Sequence, residues 1–221
     1  MASLTKIMTA IVALEADPLD KKITIAKEAA TVGENAMGLT EGEKLTVEEL
    51  LYGLMLPSGN DAAEALAQGS SIGRKGYVTM MNKKAEDLGL SDTNFTNPSG
   101  LEGDGNQYTT AVDLLVMSKY GLANPDFARI VSTYQKDLPY TSDHKAFTLY
   151  NETNLLTTYP GVKGIKIGFT WEAGHCLVTY LEYKDKKIIG VLLNSQNRRD
   201  EMKQLLDYSL KSLGEIPPAH D

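Results

Sequence analysis

The sequence predicts an α+β fold in which a block of helices packs on a short antiparallel sheet. Two changes of pattern carry this reading. Up to about residue 145 apolar residues recur at helical spacing between Pro and Gly breaks; beyond it they recur in short strand-like runs with a hairpin signal. Size agrees: 221 residues suit one large domain or two small lobes, since single cores stop growing at roughly 250–300 residues.

The elements follow in chain order. Residues 5–16 are apolar all round, as in a buried helix, and Asp17-Pro18 ends it. Thr46 caps a second helix, with Glu48 and Glu49 in its first turn, Leu50, Leu51, Leu54 and Met55 on its stripe, and Pro57 as its stop. A third runs from Ser58-Gly59-Asn60-Asp61 into residues 62–67. Residues 75–88 place Tyr77, Met80, Met81, Ala85 and Leu88 on one face. Thr109–Asp113 opens a fifth helix reaching about Gly121, and 125–131 is a short sixth. Residues 146–150 and 164–170 are strand candidates, while 174–183 and 187–194 flank Lys184-Asp185-Lys186 as a hairpin. Residues 199–213 return to amphipathic helix. Glu215-Ile216-Pro217-Pro218 then closes a domain of residues 1–215, leaving 216–221 as a tail.

Composition excludes several classes of function. The net charge is −7 and no Lys/Arg cluster could neutralise phosphates, so nucleic acid is not an expected partner. No stretch approaches the ~18–20 apolar residues of a membrane span. Met1-Ala2-Ser3 leads straight into a helical segment, with no signal peptide. Cys176 is the only cysteine, which rules out an intrachain disulfide; its apolar flank Leu177-Val178 reads as a packed thiol. His144, His175 and His220 lack metal-ligand spacing.

Three short motifs carry chemistry only in combination. With 12 serines and 18 lysines, a Ser-x-x-Lys is expected by chance, and two occur, at Ser3–Lys6 and Ser142–Lys145. Ser-x-Asn occurs at Ser58–Asn60 and Ser195–Asn197, and Lys-x-Gly at Lys119–Gly121 and Lys166–Gly168. Ser3 opens an apolar helix, where backbone N–H groups favour developing negative charge. Lys6 lies on the same helical face, and burial would lower its pKa enough for it to act as a base. Ser142 sits in a polar loop without such a platform. Ser58-Gly59-Asn60 falls between two helices after Pro57, whereas Ser195–Asn197 reads as a turn. Lys166-Ile167-Gly168 lies in a strand where glycine admits a substrate backbone, whereas Lys119–Gly121 reads as a capped helix end. Each residue also has a plainer reading: Ser3 as an N-cap, Lys6 as a solvated cation, Gly168 as a packing site.

The favoured copies run Ser-x-x-Lys, Ser-x-Asn, Lys-x-Gly, an order that resembles the penicillin-binding proteins and class A β-lactamases. Residues 2–10, Ser58–Ala63, Asn97-Pro98-Ser99-Gly100-Leu101, Tyr108–Ala111, Tyr159–Lys166 and Ala173–Val178 all look like the low-molecular-mass D-alanyl-D-alanine carboxypeptidases. The resemblance covers residues 2 to about 210 and implies a β-lactamase/transpeptidase-like fold. It further implies that Ser3 attacks the carbonyl between two D-alanines while Lys6 takes its proton. Ser58 would relay a proton to the leaving amine, and Asn60 would hold Lys6 and the substrate amide. Lys166 would attract the terminal carboxylate, and the N–H groups of Ser3 and Phe169 would form the oxyanion hole, with Gly168 and Thr170 beside them. The implied partners are a peptidoglycan stem peptide ending in D-Ala-D-Ala and β-lactam antibiotics, with no metal or cofactor required; the implied location is extracytoplasmic.

The chain departs from that pattern in two places. Ile167 stands where the family motif has threonine, whose hydroxyl helps to bind the substrate carboxylate. The serine is also the third residue, so the N-terminal strands that complete the family sheet are missing. That predicts a sheet of about three strands plus a possible fourth, an edge open to strand-mediated homodimerisation, and a nucleophile end prone to fray. The amphipathic anchoring helix and β-rich domain that family members often add are not recognisable after residue 215 either. Two rivals remain. One is a β-lactamase or esterase on the same scaffold, for which Glu102 is a deacylating candidate without the right local pattern; the other is a non-catalytic peptidoglycan- or β-lactam-binding module.

Overall fold

The protein is described by a computed structural model covering residues 1–102, 105–153 and 155–220. A 3-10 turn, Ala2–Thr5, runs into helix α1 (Lys6–Ala16). Every residue of α1 from Lys6 to Ala13 is buried, which is why its sequence is apolar all round. Strands β1 (Lys22–Thr24) and β2 (Lys44–Thr46) form an antiparallel ribbon with the short α2 (Lys27–Ala30) between them. Helices α3 (Val47–Met55), α4 (Asn60–Gly69), α5 (Gly73–Asp87), α6 (Ala111–Leu122) and α7 (Pro125–Val131) complete the helical block.

The predicted start of α3 is built as expected. Thr46 Oγ1 accepts from Glu49 N at 3.2 Å and Glu49 Oε2 accepts from Thr46 N at 2.8 Å, a reciprocal cap contributing about 1 kcal/mol. Asn124 and Pro125 start α7 in the same local way, Asn124 Oδ1 accepting from Asp126 N at 2.9 Å.

After the block, β3 (Gln135–Leu138) pairs with β4 (Phe147–Tyr150), and α8 (Leu155–Thr158) leads into the main sheet. That sheet is β5 (Val162–Thr170), β6 (Gly174–Tyr183) and β7 (Lys186–Ser195), antiparallel and in sequential order. Helix α9 (Arg198–Ser212) covers one face. The expected three strands, hairpin and covering helix are all present, and no fourth strand joins this sheet among the described residues.

Strand alternation divides the core in two. Cys176 and Val178 on β6 face the helical block around α1, so the cysteine is a packed thiol. Leu177 and Leu181 face α9 and its Met202, Leu206 and Leu210. Beyond α9 the last residues fold back, with His220 stacked on Tyr159 at 4.5 Å between ring centroids. No helix among the described residues is long and apolar enough to cross a membrane.

Candidate active site

A cavity of about 560 Å³ opens between the helical block and β5; Ser3, Ser58, Asn60, Gly168, Phe169 and Thr170 line it. Six of the eight sequence-predicted site residues thus share one surface. Lys6 and Lys166 lie buried just behind it, at 0% and 1% exposure.

Ser3 sits on the 3-10 turn and Lys6 is the first residue of α1, which brings the hydroxyl and amine onto one side. Lys6 Nζ is 3.0 Å from Ser3 Oγ, 2.7 Å from Asn60 Oδ1 and 2.7 Å from Ser99 O, donating to each as an ammonium. The same three contacts suit the neutral amine. Two N–H groups then serve Asn60 and Ser99, and the lone pair faces Ser3 Oγ–H. Burial pushes the Lys6 pKa well below its ordinary value, and the charge of Lys166 pushes it further. Burial also brings Lys166 down to about 8. The Glu152, Asp61 and Glu34 carboxylates oppose the fall at Lys6.

The segment Asn97-Pro98-Ser99-Gly100 clamps the turn that carries Ser3. Asn97 Oδ1 accepts from Ser99 N at 3.2 Å and Gly100 N at 2.8 Å, which forms the turn. Pro98 O accepts from Thr9 Oγ1 at 2.6 Å, and Ser99 O accepts from Lys6. The expected fraying of residues 2–5 is corrected here: Ala2, Leu4 and Thr5 are buried, and Thr5 Oγ1 donates to Ala2 O at 2.9 Å. Gly100 has φ +88°, and a Cβ there would overlap the Ala2 carbonyl. Gly100→Ala is therefore expected to destabilise the protein by more than about 1 kcal/mol. In a thermal melt that lowers Tm by at least about 2–4 °C; an unchanged Tm would remove the clamp from this account.

The other predicted positions fall into place around this pair. Ser58 is buried with φ +64°, a strained conformation for a serine and one that clusters at functional sites. Gly168 lies so close to the 3-10 turn that a Cβ would meet Ser3 N at 3.1 Å, so the strand backbone runs directly against the Ser3 amide. The Phe169 ring is 42% exposed and tilts against His175 at 4.6 Å. Thr170 lines the cavity, its hydroxyl accepting from Ala173 N at 3.1 Å. Ile167 shows one flank to the cavity and packs the other on the core beneath α9.

The discarded motif copies lie elsewhere. Ser142 is exposed, and Lys145 Nζ donates to Thr40 Oγ1 at 2.7 Å. Asn197 caps α9, its Oδ1 accepting from Asp200 N at 3.3 Å. Gly121 lies inside α6, which ends at Leu122; it is not a glycine cap as expected.

Sequence reasoning missed four cavity residues: Arg198, Glu34, Asn35 and Glu152. Arg198 Nη1 donates to Gly168 O at 2.9 Å, which ties α9 to the strand that faces Ser3. One signal for it was available. Arg198 and Arg199 open α9, where the helix dipole favours acidic residues, so two cations there need another reason. Glu34 and Glu152 carry no such mark. Glu102, the deacylating candidate, does not line this cavity; its Oε1 accepts from Glu172 N at 3.1 Å.

Fold and site together define the class of DD-transpeptidase and DD-carboxypeptidase scaffolds. The crystal structure of the Streptomyces K15 DD-transpeptidase matches with a TM-score of 0.87 at 35% identity, over 94% of this chain and 86% of that one. The D-alanyl-D-alanine carboxypeptidase DacD of Francisella tularensis matches with a TM-score of 0.85 at 29% identity, over 95% and 64% of the two chains. The family model for D-alanyl-D-alanine carboxypeptidases matches residues 1–197. The chain belongs to the D-alanyl-D-alanine carboxypeptidase family. DacF of Bacillus subtilis is 37% identical over 94% of this chain, and DacB2 of Mycobacterium tuberculosis is 41% identical over 76% of it. The chain spans only 55% and 57% of the length of those two relatives.

Proposed function

We propose that the chain is the catalytic domain of a serine D,D-carboxypeptidase that removes the terminal D-alanine of peptidoglycan stem peptides. The observation that carries this is the fully buried Lys6 amine, 3.0 Å from the hydroxyl of a cavity-lining serine. Ser3 Oγ bonds to the carbonyl carbon of the penultimate D-alanine as neutral Lys6 accepts its proton. The amide then breaks; the departing D-alanine amine takes a proton through Ser58, leaving an ester on Ser3 that water hydrolyses. The N–H groups of Ser3 and Phe169 stabilise the oxyanion, a term of about 10²–10³ in rate per donor. Asn60 orients Lys6. Lys166 and Arg198 supply positive charge for the terminal carboxylate, with Gly168 and Thr170 forming the strand edge beside it. A β-lactam presents the same carbonyl and carboxylate and acylates Ser3.

The test is release of free D-alanine from a synthetic acylated peptide ending in D-Ala-D-Ala. No release, together with multiple turnovers of nitrocefin, would move the assignment to a β-lactamase. Neither release nor acylation would leave a binding module. Peptidoglycan as substrate places the protein outside the cytoplasm. The open outer edge of β7 supports a strand-paired homodimer, and a concentration-independent monomer in sedimentation would end that part of the reading.

Ile167 removes a hydroxyl from the carboxylate end. A hydrogen bond to a charged group contributes about 1.5–3 kcal/mol. Ile167→Thr is therefore expected to accelerate β-lactam acylation about ten- to a hundredfold, measured by stopped flow. An unchanged rate would sink this account of position 167.

A further inference from the structure

Asp61 follows the Ser58-Gly59-Asn60 motif and is given no task by the acyl-transfer scheme. It is 1% exposed, on the first turn of α4. Its carboxylate gathers four backbone N–H groups. Oδ1 accepts from Met37 N at 2.9 Å and from Ala62 N at 2.8 Å, and Oδ2 accepts from Gly38 N and Leu39 N at 2.9 Å each. Three of these donors belong to one loop, whose preceding residues hold Asn60. Asn60 Nδ2 donates to Gly33 O at 3.2 Å, and Asn60 N donates to Asn35 O at 2.8 Å. An amide whose nitrogen is committed to Gly33 O must point its oxygen the other way, and that oxygen lies 2.7 Å from Lys6 Nζ.

We propose that Asp61 is a positioning residue for acyl transfer: by pinning Met37–Leu39 it fixes the loop carbonyls that orient the Asn60 amide on Lys6. The inference rests on the proposed acyl-transfer reading and adds to it a residue that touches neither substrate nor nucleophile. The arrangement is a relay of fixed geometry, from Asp61 through the loop to Asn60, then Lys6, then Ser3. A misplacement of about 1 Å in such a chain can cost about a hundredfold in rate. The loop also carries Glu34 and Asn35 into the cavity, so its position shapes the wall opposite β5.

The test is Asp61→Asn, which keeps the shape but turns one acceptor into a donor facing backbone N–H groups. Acylation of Ser3 by a fluorescent penicillin is followed by stopped flow, separating the dissociation constant of the initial complex from the first-order acylation step, across pH. Asp61 also acts electrostatically on Lys6, together with Lys166, Glu152 and Glu34. Loss of that charge alone moves the acid limb of the profile and leaves the plateau unchanged. Loss of positioning lowers the plateau. The expected result is a plateau about ten- to a hundredfold lower, with the dissociation constant little changed because Lys166 and Arg198 are untouched.

Leu210→Ala is the control. It removes a buried side chain from the separate core beneath α9 and touches neither the loop nor the cavity, and should lower Tm without lowering the plateau. Should Asp61→Asn not fold, Asp61→Ser, which keeps one short acceptor, takes its place in the same comparison. A wild-type plateau in a folded Asp61 variant overturns the proposal. So does an equal loss in Leu210→Ala at matched Tm. Absence of acylation in the wild-type protein would instead defeat the acyl-transfer reading on which the proposal stands.

Discussion

Lys6→Met is expected to slow acylation of Ser3 by a β-lactam by about 10²–10⁴-fold, the range that a positioned general base contributes. Methionine fills the channel beside α1 with a chain of similar length and no lone pair basic enough to take a proton. The cavity-lining hydroxyl must then lose its proton to solvent water, a far weaker base than a neutral amine. Among the described residues no other amine contacts Ser3 Oγ, so no substitute base stands ready. The variant is to be compared with wild type at equal circular dichroism, by single-turnover acylation. A loss smaller than about tenfold would mean that Lys6 merely fills space, because even one modest catalytic proton transfer exceeds that.

The second large effect is on pH. In the proposed reaction acylation needs Lys6 without its proton, so the rate is expected to rise with pH through the Lys6 pKa, which burial and Lys166 place well below that of a free lysine. Carboxylate binding needs Lys166 with its proton, so the rate falls as pH passes about 8, where burial has brought that group. The order of the two limbs follows from burial of Lys6 together with the charge of Lys166, which both favour loss of the Lys6 proton. The expected profile of acylation efficiency is a bell whose alkaline limb lies near pH 8. Lys166→Arg should carry that limb upward beyond the measured range, since a guanidinium does not titrate there. An alkaline limb that stays in place in Lys166→Arg would assign it to another group.

Much of this protein is legible in its sequence, and the legible parts share a cause. Helix α1, the Thr46 cap of α3, Pro125 at the start of α7 and the β6–β7 hairpin are all specified by residues within a few positions of one another. Strands β1, β2 and β3 are not, because runs such as Lys22-Ile23-Thr24 carry no period and become strands only through distant partners. The site divides in the same way. Ser3 and Lys6 meet through one helical turn and were readable as a pair. Asn60 reaches Lys6 across 54 positions, and only the ordered motifs suggested it.

Arg198, Glu34 and Glu152 enter the cavity from three separate segments, and no local spacing marks their convergence. The Asn97–Gly100 turn illustrates a further limit. Its residues were recognisable as family-like, but their task of clamping Ala2 and Lys6 appears only when Ser99 O is seen on the lysine amine. Ile167 is the reverse case: the sequence marks it as a departure, and only the structure shows that one of its flanks packs on the core beneath α9.

The central claim is that Ser3 is a live nucleophile activated by Lys6. Mass spectrometry of the intact protein after exposure to benzylpenicillin, followed by peptide mapping, tests it most directly. One penicilloyl adduct on the peptide that carries Ser3, absent from Ser3→Ala and strongly slowed in Lys6→Met, is the predicted result. No adduct on the folded wild-type protein, or an adduct that survives in Ser3→Ala, would contradict it.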